Sequence, residues 1–426
     1  MQGHGSSPRV LRQANARVVL QHMWAGGPVT GSDLIGATGL SRATVHDVCG
    51  ELIGRGWVRE EANQREHGGY SKGRPARRYS LDPSAGTVLG VDAGQHHVSA
   101  VVADLLGDEL ARCVVATPGE EATAQERLEV VDATVRQVLA LVPGRTGPVL
   151  AAVVGVPAPV GPSRRTSFQG NAWWERMNPD IAGHLHQDHG WPVLVENDAN
   201  LAALAERWRG AARGAASSVT LLAGERFGAG VLEGDRLLRG AHGGAGEMRY
   251  LDMVSGVGSP AGVAALTRDL ARAALLDPVA GPASALARLD PGALEAEAVF
   301  AAARSGDALA EDVLERVGVR LARVVTTLAS LLDPERVIIA GAVAASCGPM
   351  IRTVERELAR WLEPPRPVVL ASVLGGEVVS IGAVGRALDH VREHALEIEL
   401  SRPTAATGAP GSAPSRSTGR PPGRPG

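Results

Sequence analysis

Val193-Leu194-Val195-Glu196-Asn197-Asp198-Ala199-Asn200, running on into Leu201-Ala202-Ala203-Leu204-Ala205-Glu206, is the stretch that decides the fold. A β-branched apolar run stops at a polar cluster and an Ala/Leu-rich helical pattern begins at once, so the spacing predicts a strand-to-helix junction. In open α/β sheets small molecules bind just past the carboxyl ends of strands, which puts Asn197 and Asp198 where a ligand would lie. Either residue could instead cap the helix, since Asn and Asp side chains accept bonds from the free N–H groups of a first turn. One such residue is explained by capping; two adjacent ones are explained less well.

A second stretch points to the same place. Arg239-Gly240-Ala241-His242-Gly243-Gly244-Ala245-Gly246-Glu247 holds four glycines in nine residues and ends in a carboxylate that can accept bonds from hydroxyls. Together the two stretches resemble the ROK family of bacterial sugar kinases and sugar-responsive repressors, whose members share an E-N-D-A-N junction and an R-G-x-H-G-x-A-G-E loop. The resemblance runs from about Val88 to about Glu393. It implies an α/β chain with a two-lobed actin-like ATPase fold. It also implies that Asn197 and Asp198 bond sugar hydroxyls, the aspartate being the general base in the kinases, and that Glu247 accepts from further hydroxyls.

The same resemblance marks departures. In the actin-like superfamily a hairpin grips phosphates through a D-x-G-G-T-like turn; here that turn reads Asp92-Ala93-Gly94-Gln95-His96. Family kinases carry G-T-G-x-G-x-G in a second phosphate loop, where this chain reads Gly224-Glu225-Arg226-Phe227-Gly228-Ala229-Gly230. A carboxylate at Glu225 would stand in a loop whose role is to attract anions. Because both loops must meet ATP for in-line transfer, catalysis and ATP binding are not expected. The alternative is an active sugar kinase carrying a DNA-binding appendage, with Asp198 as its base.

On the sugar side Asn171 and Trp174 resemble the family's N-x-x-W loop, although Trp173 and Trp174 could equally be packing residues. The family's E-x-G-H reads Glu247-Met248-Arg249-Tyr250, so the histidine that links sugar and zinc is a tyrosine, and the cysteine cluster that normally follows is replaced by Leu251 to Gly258. No structural zinc is expected. His242 is a candidate sugar contact or an incidental polar residue of the loop.

Ahead of this body, Val10 to Trp24 reads as a helix with Leu11, Val18, Val19 and Met23 as inward candidates. Thr30 and Asp33 make a capping-box-like start to a short second helix through about Ala37. After the turn at Gly39-Leu40, Ser41 caps a third helix that turns Val45, Val48, Cys49 and Leu52 inward. A short helix, a tight turn and a second amphipathic helix predict a helix-turn-helix, whose second helix offers its first residues to a major groove. Strand-like runs at 56–59 and 77–81 flank the tip Gly68 to Ala76, predicting a wing or, alternatively, a solvated basic hairpin. Ser41, Arg42, Thr44, His46, Lys72, Arg74 and Arg77 are the DNA-facing candidates. Residues 1–82 hold eleven Lys and Arg against seven Asp and Glu, a net +4 that leaves −7 for the rest of a chain whose total is −3. A basic module on an acidic body is the electrostatic footprint of a DNA-binding domain, a small protein-interaction domain being the other reading.

The expected organisation is therefore a winged helix-turn-helix over 1–82, a linker at 83–87 and a ligand-binding body over 88–400. The body's first lobe is about 88–198 plus a closing helix at 380–393, and its second lobe about 199–379. A Pro/Gly/Arg tail at 401–426 has no means of building a core and is expected to be disordered. Three scattered cysteines and the lack of any membrane-length apolar run point to a cytoplasmic protein without a membrane partner. The partners expected are DNA and a small sugar effector. A homodimer or higher homo-oligomer is expected too, since a symmetric dimer would present two winged helices to two half-sites.

Overall fold

The computed structural model describes residues 8–61, 77–119, 122–142, 144, 146–161, 163, 166 and 170–400. The expected wing tip, with Lys72 and Arg74, and the tail at 401–426 lie outside the described residues.

Three helices, Pro8–Met23, Gly31–Thr38 and Arg42–Gly54, pack with a three-stranded antiparallel sheet in the order Val29–Thr30, Arg78–Leu81, Val58–Glu61. Local chemistry sets each boundary. Thr30 and Asp33 form a complete capping box, and Gly39 closes the second helix at φ 69°, a left-handed conformation that favours glycine. Ser41 caps the third helix by accepting from the Thr44 amide. Val45, Val48, Cys49 and Leu52 are buried as the spacing predicts. The first helix corrects the expectation: Ala16, Val19, Leu20 and Met23 form its inward face, whereas Leu11 and Val18 are 56% and 46% exposed. The i, i+3, i+4, i+7 stripe starting at Ala16 is the one that meets the other two helices. The two-residue strand at Val29 was too short to read from periodicity.

The body contains two five-stranded sheets of the same topology. In the first the spatial order is Glu109–Ala116, His97–Asp104, Thr87–Ala93, Val149–Val156, Val193–Asn197. In the second it is Arg236–Leu237, Phe227–Glu233, Ser217–Ala223, Arg336–Ala340, Val368–Ala371. Each sheet has three antiparallel strands followed by two parallel ones. The strand Thr87–Ala93 is buried along its whole length, as an interior strand covered on both faces must be. The helix Ala308–Leu332, capped by Asp307, buries Val313, Leu314, Val317, Leu321, Val324, Val325 and Leu328 in the core of the second sheet.

The helix Asp198–Arg209 contacts strands of both sheets and lies along the last helix, Val378–His394, with Gly382 packed against the Leu201 carbonyl. The far end of that last helix meets the N-terminal helices. Trp24 donates its indole N–H to the Leu105 carbonyl at 2.8 Å, Arg392 lies over the Trp24 ring, and Arg55 donates to the Leu396 carbonyl at 2.8 Å. One apolar cluster runs from Trp24 and Trp57 through Leu105 to Leu388 and Val391. Among the described residues no helix is long and apolar enough to cross a membrane.

Candidate functional site

The strand Val193–Asn197 hands over to the helix Asp198–Arg209 without an intervening residue. Asn197 does cap it: its side chain accepts from the Asn200 amide at 3.1 Å and donates to the Ala158 carbonyl at 3.3 Å. Asp198, first in the helix, accepts from the Ala199 amide at 2.8 Å. Both residues line a cleft of about 300 Å³ between the two sheets, together with Asn171, Trp173, Trp174, Arg226, Glu247 and Arg249. A cleft of this size is at the small end of ligand sites.

The glycine loop reaches the cleft because its glycines allow very close backbone contact. At Gly246, φ 83°, a Cβ would stand 1.8 Å from the Ala229 carbonyl oxygen; at Gly243, φ 73°, one would stand 2.0 Å from that of Val160. The Ala229 amide donates to the Gly246 carbonyl at 3.1 Å, and Glu247 is carried to the cleft wall beside Gly228. Arg239 at the head of the loop forms an ion pair with Glu196 at 2.7 Å, and Asn200 donates to the same carboxylate at 2.9 Å. Outside this set, His242 is exposed and does not line the cleft, because the loop turns it outward where Gly243 backs onto Val160. Asn171 lines the cleft while capping the helix Ala172–Met177, accepting from the Trp173 and Trp174 amides at 3.1 Å.

Burial governs the two cleft carboxyls. Asp198 is pushed up to about 8, first by desolvation and then by the neighbouring charge of Asp92, with Glu247 adding to it. Glu247 is pushed up to about 7 by desolvation, against the pull of Arg249. Near neutrality Asp198 therefore mostly holds its proton and Glu247 holds one about half the time, so both can donate as well as accept, which suits recognition of hydroxyl groups.

The phosphate-side turns are built differently from expectation. Glu225 is not a free charge beside the cleft: Arg268 grips it with two bonds of 2.9 and 2.7 Å and holds its carboxyl below the usual range. Its neighbour Arg226 enters the cleft instead, with its guanidinium 4.6 Å from the Trp173 ring centre. Arg249 lies 5.2 Å from the Trp174 ring and 4.8 Å from that of Tyr250, which is itself 60% exposed. In the first turn Asp92 faces His97 at 3.7 Å, and Arg127 supports Ala93 and Gly94 from behind through their carbonyls. The segment after Tyr250 is held by packing, with Leu251 and Val257 in the core, and by Arg323, which donates to the Ser255 carbonyl at 3.0 Å.

On the N-terminal module Arg42 and His46 are exposed and Thr44 half-buried, all on the first turns of the helix Arg42–Gly54. Ser41 and Thr44 share a hydroxyl contact of 2.9 Å, so Ser41 serves as a cap first. Arg77 is paired with Glu60 at 3.3 Å.

Sequence reasoning assigned neither Arg226 nor Arg249 to the cleft. The signal was present in both motifs, since each arginine stands where the family pattern has glycine.

Comparison with known proteins places this geometry. The model of the ROK family matches residues 88–388. The chain is 31% identical over 316 residues to a glucokinase of Streptomyces coelicolor, covering 70% of this chain and 96% of that protein. It is 30% identical over 191 residues to a glucokinase of Halalkalibacterium halodurans, covering 42% of this chain. It is 26% identical over 251 residues to a xylose repressor of Caldicellulosiruptor bescii, covering 57% of this chain. The matches span 58% and 59% of the lengths of these last two relatives. Among solved structures, a ROK family transcriptional regulator, a homologue of the E. coli MLC protein, shares the fold at TM-score 0.71 and 20% identity, over 92% of this chain and 99% of that one. A ROK family glucokinase from Streptomyces griseus, in complex with glucose and AMPPNP, matches at TM-score 0.59 and 28% identity, over 72% of this chain and 100% of that one.

Proposed function

The chain belongs to the ROK family, and from that premise we propose that it is a DNA-binding transcriptional regulator whose kinase-like body senses a sugar and does not transfer phosphate. The observation that carries this reading is Arg226, standing in the cleft over Trp173 at a position where the family's phosphate loop has glycine. A side chain there replaces the open glycine backbone with which the family's loop would meet a nucleotide's terminal phosphate. Gln95 and His96 alter the other phosphate turn in the same sense. The sugar side, by contrast, keeps Asn171, Asn197, Asp198 and Glu247 around one cavity. We propose no role for ATP or zinc.

DNA contacts are assigned to Arg42, Thr44 and His46 on the helix Arg42–Gly54, together with Lys72, Arg74 and Arg77 of the wing expected from the sequence. A homodimer would set two such helices at two half-sites, and repression relieved by the sugar is the sense we favour. The coupling has a physical route. Asp198 opens the helix Asp198–Arg209, which lies along Val378–His394, whose far end touches Trp24 and Arg17. A ligand that draws the lobes together at Asp198 therefore bears on the seat of the DNA-binding module, and it shifts DNA affinity by as much as it prefers one arrangement.

The second reading, an active sugar kinase, is favoured by the likeness to the Streptomyces coelicolor glucokinase over nearly its full length and by Asp198 in the cleft. A coupled ATP-consumption assay over hexoses and amino sugars separates the two. No turnover is expected, and turnover that disappears in Asp198→Asn would establish the kinase.

A further inference from the structure

Two arginines from separate segments converge on the cleft, and the family pattern has glycine at both positions. Arg226 stands at the second glycine of the phosphate loop and Arg249 at the glycine of E-x-G-H. Both line the same cavity as Asp198 and Glu247. Each guanidinium lies over a cleft tryptophan, Arg226 over Trp173 and Arg249 over Trp174. Stacking on a ring holds the plane of a guanidinium and leaves its N–H edge free for a ligand, the geometry in which arginine binds phosphate or carboxylate with two parallel bonds.

Neither arginine forms an ion pair among the described residues, although the charge of Arg249 is felt by Glu247. Among the described residues, Arg226 and Arg249 have no carboxylate within 4.0 Å, whereas their neighbours Arg239 and Arg268 are paired with Glu196 and Glu225 at 2.7 Å. Body arginines without an acid, such as Arg127 and Arg323, spend their N–H groups on backbone carbonyls instead, and among the described residues Arg226 and Arg249 make no such bond.

We infer that the ligand is an anionic sugar, a monosaccharide bearing a phosphate or carboxylate group that Arg226 and Arg249 bind while its hydroxyls meet Asn197, Asp198 and Glu247. The inference rests on the sugar-sensing reading of this cleft and narrows its ligand class. The cleft carboxyls oppose the anion only weakly, because burial keeps Asp198 mostly protonated and Glu247 about half protonated near neutral pH. A cavity of about 300 Å³ accommodates one substituted monosaccharide. Restoring glycine at either position removes the cation and returns the residue of the family pattern.

The test is titration calorimetry of the full chain with matched sets: glucose, glucose 6-phosphate and glucuronate; N-acetylglucosamine and its 6-phosphate; xylose and xylonate. In at least one set an anionic member is expected to bind tenfold or more tightly than its neutral parent, and the phosphate and carboxylate arms tell which group is read. Arg226→Gly and Arg249→Gly are each expected to weaken that anion by roughly ten- to a hundredfold, the scale of a hydrogen bond to a charged group, and to weaken it more than they weaken its neutral parent. Thermal melts of both variants establish that they remain folded. A neutral sugar that binds as well as its anionic counterparts, or anion affinity unchanged in both glycine variants, overturns the inference and leaves the sugar-sensing reading standing. Silence from every set overturns both.

Discussion

Glu196 and Arg239, 43 residues apart, form an ion pair of 2.7 Å that joins the last strand of the first sheet to the glycine loop. Glu196 is 7% exposed and also accepts from Asn200. The pair pins one wall of the cleft to the other, so the positions of Asp198 and Glu247 depend on a contact that neither makes. Arg239→Ala leaves a buried carboxylate with only two neutral partners, the Asn200 side chain and the Asn197 amide. Because the arginine end is half-exposed, the cost should fall below that of a fully buried pair, at about 1–3 kcal/mol. Chemical denaturation of the variant should read this loss, and Glu196→Gln in the Arg239→Ala background should recover part of it. An unchanged midpoint would show that the pair is ornamental.

The cleft carboxyls make the unliganded protein sensitive to alkali. Their folded-state pKa values, about 8 for Asp198 and about 7 for Glu247, lie above the unfolded values of 3.8 and 4.5. A raised folded pKa means that the stabilisation is complete below the unfolded value and is lost as pH climbs to the folded one. Stability should therefore decline between about pH 4 and pH 8 on account of these groups. Asp198→Asn should flatten that decline and raise the melting temperature at pH 8. An Asp198→Asn profile that superimposes on that of the parent would show that Asp198 titrates normally.

Trp24 joins module and body through its bond to the Leu105 carbonyl and its contact with Arg392. Trp24→Phe keeps an aromatic ring but deletes the indole N–H and part of the buried ring system, at a stability cost of about 1–3 kcal/mol. DNA affinity and ligand affinity should each stay within about threefold of the parent, while the change in DNA affinity caused by ligand should shrink. Full coupling in this variant, read by fluorescence anisotropy with and without sugar, would place the route elsewhere.

On the module, Arg42→Ala and His46→Ala should each cost about 1–3 kcal/mol in binding to a specific site if they read bases. Arg74→Ala should weaken binding more evenly across sequences if its role is the backbone, with a shallower salt dependence. Equal losses on specific and random DNA for all three would assign them all to phosphate contacts.

The fold was legible where one residue type has one physical use. The change from β-branched run to helical pattern at Asn197, the capping box at Thr30 and the apolar face of Ala308–Leu332 are all local signals, and local signals survive without tertiary information. The inward face of Pro8–Met23 was not legible, because Leu11 and Val18 offer as good a stripe as Ala16 and Leu20 until the neighbouring helices choose between them. Within the site, Asp198, Glu247, Asn171 and Asn197 were readable from their motifs. His242 was misplaced because a glycine-rich loop leaves side-chain direction undetermined. The partners that set the electrostatics, Arg268 on Glu225 and Arg239 on Glu196, are 43 residues distant in sequence, and no periodicity reveals such pairs.

The central claim is regulation, and the most direct measurement is capture of sheared genomic DNA by the full-length chain and by its Arg42→Ala/His46→Ala form, with bound fragments sequenced. The account predicts a small set of palindromic sites enriched by the parent, lost in the double variant and released by the sugar that binds the cleft. Equal, sequence-independent recovery by both proteins, together with sugar-dependent consumption of ATP, would contradict it.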